Sequence, residues 1–349
     1  MQVTFLIGNG FDLHLNLETS FKHMYQSYIH TPPRDPDVMR LQDLLRKDAP
    51  SGYETWGDFE IAMGKHAKNF AGEGAFINAI RSFKDHMVEH LKAQEANFLK
   101  RVSTNSQAWL ICSIEMDKSV STFYSGQIPN VVHTIKKKSA GHDFDRYAFI
   151  DFNYTTTLDW LLDAWKSRYE RQDADIVHIH GRLDNDIVLG VDNPKQLSIP
   201  QVTITRRLER AFIKPSFNDM FDSTRVVQAQ EMIRLSDVIC IYGMALGESD
   251  RTWIDQIIQW LIDNEEHHLV YYMHNTKTFN PNRRDEMMDE EDAQKQALLR
   301  RICKDELMAE KLFDQVHIPI GYDIFDFHNK LVDIKAEKRQ AASGAATGV

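Results

Sequence analysis

The sequence has little of several features that mark particular protein classes. It has three cysteines among 349 residues, at positions 112, 240 and 303, and no CxxC pair. This usage fits a reducing compartment and argues against a thiolate metal cluster. No apolar run approaches the roughly 18 uncharged residues that a membrane-spanning helix needs, and the first run stops at Gly8. We therefore expect a cytoplasmic protein with no membrane partner.

An excess of positive charge is also missing. Lysine and arginine number 41 against 51 aspartates and glutamates, which gives a formal charge of −10 and a pI of about 5.8. Because unaided nucleic-acid binding depends on neutralising phosphates, this acidic balance argues against it. The composition is that of a globular protein, and the length suits one large α/β domain with an insertion, or two domains.

Short apolar runs alternate with helical patterns along most of the chain. Strand-like runs occur at residues 3–7, 147–152, 175–180, 187–189, 238–242, 269–273 and 316–320. Apolar residues at helical spacing separate them, at residues 19–28, 158–171, 206–233, 252–263 and 286–312. Buried strands that alternate with helices predict an α/β fold with a Rossmann-like parallel sheet flanked by helices.

Strand signals vanish between residues 38 and 139, where apolar residues such as Phe76, Ile80 and Phe83 recur at helical spacing. We interpret residues 31–144 as a large helical insertion after the first βα unit. Residues 1–30 and 145–335 then form the two parts of a nucleotide-binding α/β domain. The end of the chain, residues 336–349, is of low complexity and is expected to form a flexible tail.

The first predicted strand runs into a glycine-containing turn. Glycines between a strand and a helix let backbone N–H groups approach a phosphate, and the helix N-terminus adds partial positive charge. The dinucleotide fingerprint is incomplete, since Leu13 holds the third glycine position, and a tight turn without a ligand is the alternative. A carboxylate just after such a loop suits ribose hydroxyls. The residues predicted to contact the nucleotide are Gly8, Asn9, Gly10, Phe11 and Asp12.

The second predicted strand ends at Asn153, and three threonines follow it closely. A side-chain amide can hold a water or a ribose hydroxyl, and we favour this role for Asn153 over helix capping. Threonines at residues 155–157 are typical of helix N-caps, so capping of the next helix is the favoured interpretation there. Thr155 also remains a candidate nucleotide contact.

A histidine followed by a glycine, His180 and Gly181, ends the third apolar run. Because side chains alternate along a strand, His178 and His180 are predicted to share a face. One interpretation is a metal-binding pair, and the other is a catalytic base at His180 with His178 packed in the sheet. The position of His180 at the strand exit, beside a residue that lets the chain turn sharply, favours the base.

A second glycine-containing turn runs from Gly243 to Asp250, after the strand-like run at residues 238–242. It can form another wall of a nucleotide site, with backbone donors and with Asp250 on a hydroxyl. The alternative is that Ser249 or Asp250 caps the following helix. The pair His274 and Asn275 ends the next strand and is a weaker candidate of the same kind.

In combination these motifs resemble the bacteriophage abortive infection AbiH family, which in turn is similar to divergent sirtuin-like nucleotide-binding folds. The resemblance covers residues 1 to about 275. Its segments are residues 7–13, 19–21, 56–60, 152–159, 178–181 and 243–250. A sirtuin-like fold implies NAD binding, with an asparagine matching Asn153 and a catalytic histidine matching His180. The first turn departs from the sirtuin Gly-Ala-Gly, and the zinc-ribbon cysteines are missing, so protein deacetylation is not expected.

Anti-phage effectors of this fold hydrolyse NAD+ at the nicotinamide–ribose bond, so the resemblance implies an NAD+ glycohydrolase. The departure of nicotinamide leaves an oxocarbenium-like ribose, which needs a positioned water and a base. Neutral His180 would be the base and Asn153 would hold the water. NAD is then the substrate, and neither a metal nor a further cofactor is required.

Two other functions remain open on the residues alone. One is a metal-dependent hydrolase or nuclease with His178 and His180 as ligands, completed by Asp192 or Asp250. The other is a non-catalytic nucleotide-sensing module whose helical insertion contacts a partner protein or a phage-derived trigger. The insertion could also support a homo-oligomer, for which the sequence gives no subunit number.

Overall fold

The computed structural model describes residues 2–48, 59–103, 107–123, 146–170, 174–198, 204–273, 280, 282–320 and 324–327. Three predicted features lie outside these residues. They are the motif residues 56–58, the pair His274 and Asn275, and the tail at residues 336–349. All other predicted site residues are described.

The described residues contain one six-stranded sheet. Its strands are β1 (Gln2–Ile7), β2 (Arg146–Asp151), β3 (Ala174–His178), β4 (Val238–Tyr242), β5 (His268–Tyr272) and β6 (Val316–His317). They are all parallel, in the order β3-β2-β1-β4-β5-β6, which is the strand order of a Rossmann sheet. From β1 the chain extends the sheet outward to β3, and it then crosses to β4 and extends the sheet in the other direction. The crevice for a ligand therefore lies between β1 and β4, where the strand order reverses. The predicted parallel α/β sheet is confirmed.

Helices fill the connections between the strands. They are α1 (Gly10–His14), α2 (Phe21–Tyr28), α3 (Pro36–Asp48), α4 (Phe59–Lys65), α5 (Glu73–Ser103), α6 (Ala108–Thr122), α7 (Thr157–Tyr169), α8 (Arg206–Phe212), α9 (Lys214–Phe221), α10 (Ser223–Arg234), α11 (Arg251–Asp263), α12 (Arg284–Ile302) and α13 (Glu306–Leu312). None of those in the described part of the chain is long and apolar enough to cross a membrane. The long helical stretch predicted after the first strand is confirmed by α2 to α6.

Two of the predicted helical runs are divided by N-caps, which the spacing of apolar residues did not indicate. The run at residues 206–233 forms three helices, and the Asp222 side chain accepts a hydrogen bond from the Arg225 N–H at the start of α10. The run at residues 286–312 forms two helices, because Asp305 caps α13 in the same way through the Met308 N–H. An aspartate that satisfies the free amides of a helix start also ends the preceding run.

Both faces of the sheet are covered, which explains why its strands are continuously apolar. Alternate strand residues enter different cores because side chains alternate with period two. Phe5 and Phe149 face a core that includes residues of α6 and α7. Leu6 and Ile150 face a second core, which includes residues of α10, α11 and α12.

A third core lies beneath the helical stretch and joins α2, α3, α4 and α5 to residues 183–213. Ile187 and Leu189 belong to it, although the predicted strand at residues 187–189 is not formed. Instead, the nearby Val191 forms an isolated β-bridge with Ile213. These residues are apolar because they fill this core, and their pattern resembled that of a strand.

Candidate functional site

A cavity of about 470 Å³ opens at the carboxyl edge of the sheet, beside the crevice between β1 and β4. Its walls also include aromatic and apolar side chains from α2, α5 and β5. Of the predicted site residues, the following line it: Gly8, Asn9, Gly10, Asp12, Asn153, Thr155, His180, Gly243 and Asp250. Four separate turns therefore deliver their polar residues to one place.

Phe11 and Gly181, the other two predicted contacts, do not line this cavity. Phe11 is 1% exposed and packs edge-on against Tyr242 and Phe325 in the core. Gly181 has φ +75°, and a Cβ there would lie 1.6 Å from the Asp186 carbonyl oxygen. Both residues shape the turns that carry the site.

The glycines of the first turn are explained by the close approach of two backbones. A Cβ on Gly8 would lie 2.6 Å from the Gly243 carbonyl oxygen, so only glycine fits. The amides of Gly8 and Gly10 donate to the carbonyls of Tyr242 and Gly243, at 2.9 and 2.8 Å. The Phe11 amide donates to the Gly8 carbonyl at 3.0 Å. These three amides are therefore committed within the protein, contrary to the expectation that they would face a phosphate.

Asp12 lines the cavity, but its carboxylate already has protein partners. Thr155 and Thr157 donate their hydroxyls to its two oxygens at 2.7 and 2.6 Å. Burial raises the pKa of Asp12 to about 6, although the two hydroxyls oppose the shift. The Asp12 carboxylate, which was predicted to contact ribose hydroxyls, therefore already accepts two hydrogen bonds from the protein.

The prediction that the threonines at residues 155–157 cap α7 was wrong. Thr156 occupies the N-cap position and makes no side-chain cap bond. Its backbone N–H and its hydroxyl donate instead to Glu95 of α5, at 2.5 and 2.8 Å. The threonine hydroxyls thus connect the start of α7 to two acidic side chains that are distant in sequence.

Asn153 lies two residues beyond the end of β2, which stops at Asp151 rather than at the predicted strand end, and it is 4% exposed. Its side-chain amide donates to the Gly8 carbonyl at 3.2 Å, and its backbone N–H donates to Asp151 at 2.9 Å. Asn153 therefore links the turns after β1 and β2 and presents an uncharged polar group to the cavity.

His180 lies two residues beyond the end of β3, because that strand stops at His178 rather than at residue 180 as predicted. Its ring lies within 6 Å of the Tyr154 and Phe152 rings, with centroid separations of 5.9 and 5.3 Å. Its Nδ1 lies 3.2 Å from the Phe152 carbonyl oxygen, and its Nε2 lies 3.1 Å from Asp250 Oδ1. Both ring nitrogens therefore face oxygen atoms.

Asp250 also belongs to a row of buried ionisable side chains, some of which line the cavity. Lys214 Nζ donates to Asp250 at 2.9 Å and to Glu60 at 2.7 Å. Glu60 in turn accepts a hydrogen bond from the Gly190 amide at 2.9 Å. We call the set His180, Asp250, Lys214 and Glu60 the charge chain.

Within the charge chain, Asp250 and Lys214 stay ionised in spite of their burial. Burial alone would raise the pKa of Asp250, but Lys214 and His180 outweigh burial and hold that pKa well below its usual range. Burial would likewise lower the pKa of Lys214, but Asp250 and Glu60 hold it above its usual range. The Phe152 carbonyl can only accept, so a hydrogen bond there needs an N–H at Nδ1 of His180, and Nε2 faces the ionised Asp250. The prediction that His180 acts as a base stays a prediction.

His178 lies in a separate cluster on the α7 side of the sheet. Its Nε2 lies 2.9 Å from Asp159 Oδ2, and its Nδ1 lies 3.6 Å from Asp151 Oδ2. Burial raises the pKa of Asp151 to about 8, although the charge of His178 opposes the shift. His178 and His180 thus contact different carboxylates, and in the described residues no group of three metal-ligating side chains joins them. The carboxylates that face His178 are Asp151 and Asp159, rather than the Asp192 or Asp250 of the metal-site alternative.

The family model described as Bacteriophage abortive infection AbiH matches residues 4–272. The chain belongs to this family. AbiH proteins take their name from abortive infection, a form of defence against bacteriophage, and the match covers every predicted catalytic and nucleotide-binding residue. No curated protein matches the chain.

Two charged residues of this AbiH site, Glu60 and Lys214, were missed as site residues by the sequence. Glu60 was noticed only as part of a resemblance motif, and Lys214 was read as part of a charged helical run. The one local signal is that Lys214 stands in an apolar segment just before Pro215, at the start of α9. A lysine in that context is a candidate for burial with an acidic partner.

Proposed function

We propose that this protein defends against phage by hydrolysing NAD+ at the bond between nicotinamide and ribose. The observation that supports the proposal most directly is that Asn153 and His180 meet at one cavity beside the β1–β4 crevice. Rossmann-type sheets bind nucleotides at this edge, where the strand order reverses. The proposal includes the sirtuin-like character that the resemblance implies for the nucleotide-binding part.

The cavity suits an uncharged or cationic group better than a bare phosphate. Glu60 and Asp250 line it, whereas the amides of the glycine turn are already paired. We place the nicotinamide–ribose end of NAD+ here, because its positive ring is compatible with acidic walls. The tyrosines and Phe21 offer apolar surface for the ring.

The chemical step requires a base that accepts a proton from water. The Phe152 carbonyl accepts from Nδ1 of His180, which fixes the tautomer whose free lone pair is on Nε2. We propose that substrate binding separates Asp250 from Nε2, which leaves this nitrogen free to accept a proton from water. Asp250 retains Lys214 as a partner after this separation.

The step then balances as follows. The bond between ribose C1′ and the nicotinamide nitrogen breaks, and nicotinamide leaves with the electron pair. Water oxygen bonds to C1′ of the oxocarbenium-like sugar, and the proton of that water passes to Nε2 of His180. Asn153 holds the water through its side-chain amide without adding charge.

The test is to incubate purified protein with NAD+ and to measure free nicotinamide. We expect His180→Ala and Asn153→Ala each to abolish release, because one removes the base and the other the water site. The matched controls are His30→Ala and Asn185→Ala, which change exposed residues of the same types. Retained release in both site variants would show that the site is assigned wrongly.

If the wild-type protein releases no nicotinamide, a binding measurement separates hydrolysis from the alternative functions. If calorimetry detects binding of NAD+ or ADP-ribose but no nicotinamide appears, even with phage lysate added, the nucleotide-sensing function replaces hydrolysis. If release stops after chelation and returns with a divalent metal, the metal-dependent hydrolase replaces it. Release that is insensitive to a chelator supports the proposed base.

A further inference from the structure

The cluster of Asp151, Asp159 and His178 has the geometry of a cation site. Each residue offers one ligand atom, and these atoms all lie within 4.8 Å of one another. Asp151 ends β2, His178 ends β3, and Asp159 lies in the first turn of α7. None of the three lines the nucleotide cavity, so the cluster is a separate place in the fold.

A second observation points to a ligand at this cluster. Asp151 Oδ2, Asp159 Oδ2 and His178 Nδ1 are all buried and have no hydrogen-bond partner. Asp151 is fully buried, and its Oδ1 accepts from the Asn153 N–H, which leaves Oδ2 aimed at His178 Nδ1. A buried polar atom without a partner is costly, and three of them converge here.

The nearest cation does not satisfy these atoms. Arg182 Nη1 lies 3.6 Å from Asp159 Oδ1, but the Arg182 side chain is 40% exposed. Its hydrogen bonds go to Asp184, at 3.2 and 3.0 Å. Arg182 therefore leaves Asp151 Oδ2 without a donor, while Asp159 Oδ2 has only His178 Nε2 nearby, at 2.9 Å.

We propose that Asp151, Asp159 and His178 bind one divalent transition-metal ion of the zinc or manganese class. One imidazole nitrogen and two carboxylate oxygens are a ligand set that such ions take, with water at the remaining positions. An ion would give the buried Asp151 Oδ2, which has no hydrogen-bond partner, a positive charge in direct contact. The Asp159 side chain is 23% exposed, which leaves a route for the ion and its waters.

The ion would join three elements at this edge of the sheet. It would tie the ends of β2 and β3 to the start of α7. Because Asp151 Oδ1 also accepts from the Asn153 N–H, the ion would steady the turn that carries Asn153. The site does not depend on NAD+ hydrolysis, and the ion takes no part in the proposed step.

The experiment is a titration of the full-length protein, stripped with a chelator and desalted, with Zn²⁺ and with Mn²⁺ in separate calorimetric runs. We expect one ion per chain for at least one metal. Asp159→Asn and His178→Gln should each weaken its affinity by about tenfold or more, since even indirect partners of metal ligands have effects of about 10–100-fold.

The matched control is Asp163→Asn, which removes an exposed carboxylate one turn further along α7 and should leave the affinity unchanged. Circular dichroism in chelator verifies that the variants are folded, and Asp159→Asn is the safer one because that side chain is partly exposed. The proposal is overturned if the wild type binds neither metal, or if Asp159→Asn binds as tightly as the wild type.

Discussion

Two groups of buried charge lie near the same edge of the sheet, and they are satisfied to different degrees. In the charge chain, basic and acidic side chains alternate from His180 through Asp250 and Lys214 to Glu60, and neighbours lie within 3.1 Å. In the cluster of Asp151, Asp159 and His178, three buried atoms have no hydrogen-bond partner. One group is complete within the protein, whereas the other lacks a component.

This difference separates two uses of buried charge. A complete network fixes side chains in one orientation, and here it fixes the ring of His180. An incomplete one is costly unless a ligand from outside completes it. Asp12 is an intermediate case, because two threonine hydroxyls satisfy its oxygens while none of the described residues places a cation beside it. We therefore expect the charge chain, the incomplete cluster and Asp12 to respond differently to mutation.

The largest effect is expected from breaking the charge chain at its centre. Lys214→Met removes the cation between two buried carboxylates, which should lower the free energy of unfolding by about 3–5 kcal/mol. Urea denaturation measures the loss. Lys195→Met, at an exposed lysine, should change stability by less than about 0.5 kcal/mol. A Lys214→Met loss as small as that of the control would mean that the chain is not a stabilising network.

Asp12 should make stability depend on pH in a defined window. The folded pKa of about 6 lies above the ordinary 3.8, so the unfolded chain releases this proton first. Stability from this group is present below pH 4 and should decrease by about 3 kcal/mol as pH rises to 6. The stability difference between wild type and Asp12→Asn isolates the effect. A difference that stays flat from pH 4 to pH 7 contradicts it.

The threonine hydroxyls should contribute measurably to the same site. Thr157→Val keeps the shape of the side chain but removes a hydrogen bond to the buried Asp12 carboxylate, with an expected cost of about 1.5–3 kcal/mol. Thr122→Val is the control, because its hydroxyl donates to Lys118 at an exposed position. Thermal and urea unfolding compare the two variants. Equal costs would reduce the role of Thr157 to local helix packing.

The smallest effect is expected in the incomplete cluster without metal. Asp151→Asn keeps an oxygen that accepts from the Asn153 N–H and replaces Oδ2, which has no hydrogen-bond partner. In chelator the change should be less than about 1 kcal/mol. Asp250→Asn in the charge chain should cost at least about 1.5 kcal/mol, because it weakens a buried hydrogen bond from the charged Lys214 ammonium. A reversal of this order would contradict the comparison between the two groups.

The fold was predictable because its signals are local. Strand-length apolar runs located β1, β2 and β4 to within one residue, and the glycines of residues 8–10 marked the turn between β1 and α1. The helix after Ser20 also starts as predicted, since the Ser20 hydroxyl accepts from the His23 N–H. In each case the residues that determine the structure are adjacent in sequence.

The site was predictable only where its residues follow a strand. Asn153 and His180 were found from their position at strand exits, but the partners of His180 were not. Glu60, Lys214 and Asp250 come together from three distant parts of the chain, and no local pattern encodes their contacts. The prediction that threonines cap α7 failed for the same reason. The hydroxyl of Thr156 bonds to Glu95, which is distant in sequence, instead of capping its own helix.

The helix α5 has a consequence for how the molecule unfolds. Its 31 residues span about 46 Å; Phe76 to Leu91 pack in the third core, whereas Phe98 and Val102 pack under the sheet. Leu91 lies on the cavity wall, and Glu95 accepts the hydrogen bonds of Thr156. The helical stretch and the sheet should therefore melt together in one cooperative transition. Amides in the middle of α5 should exchange with solvent as slowly as those of β1.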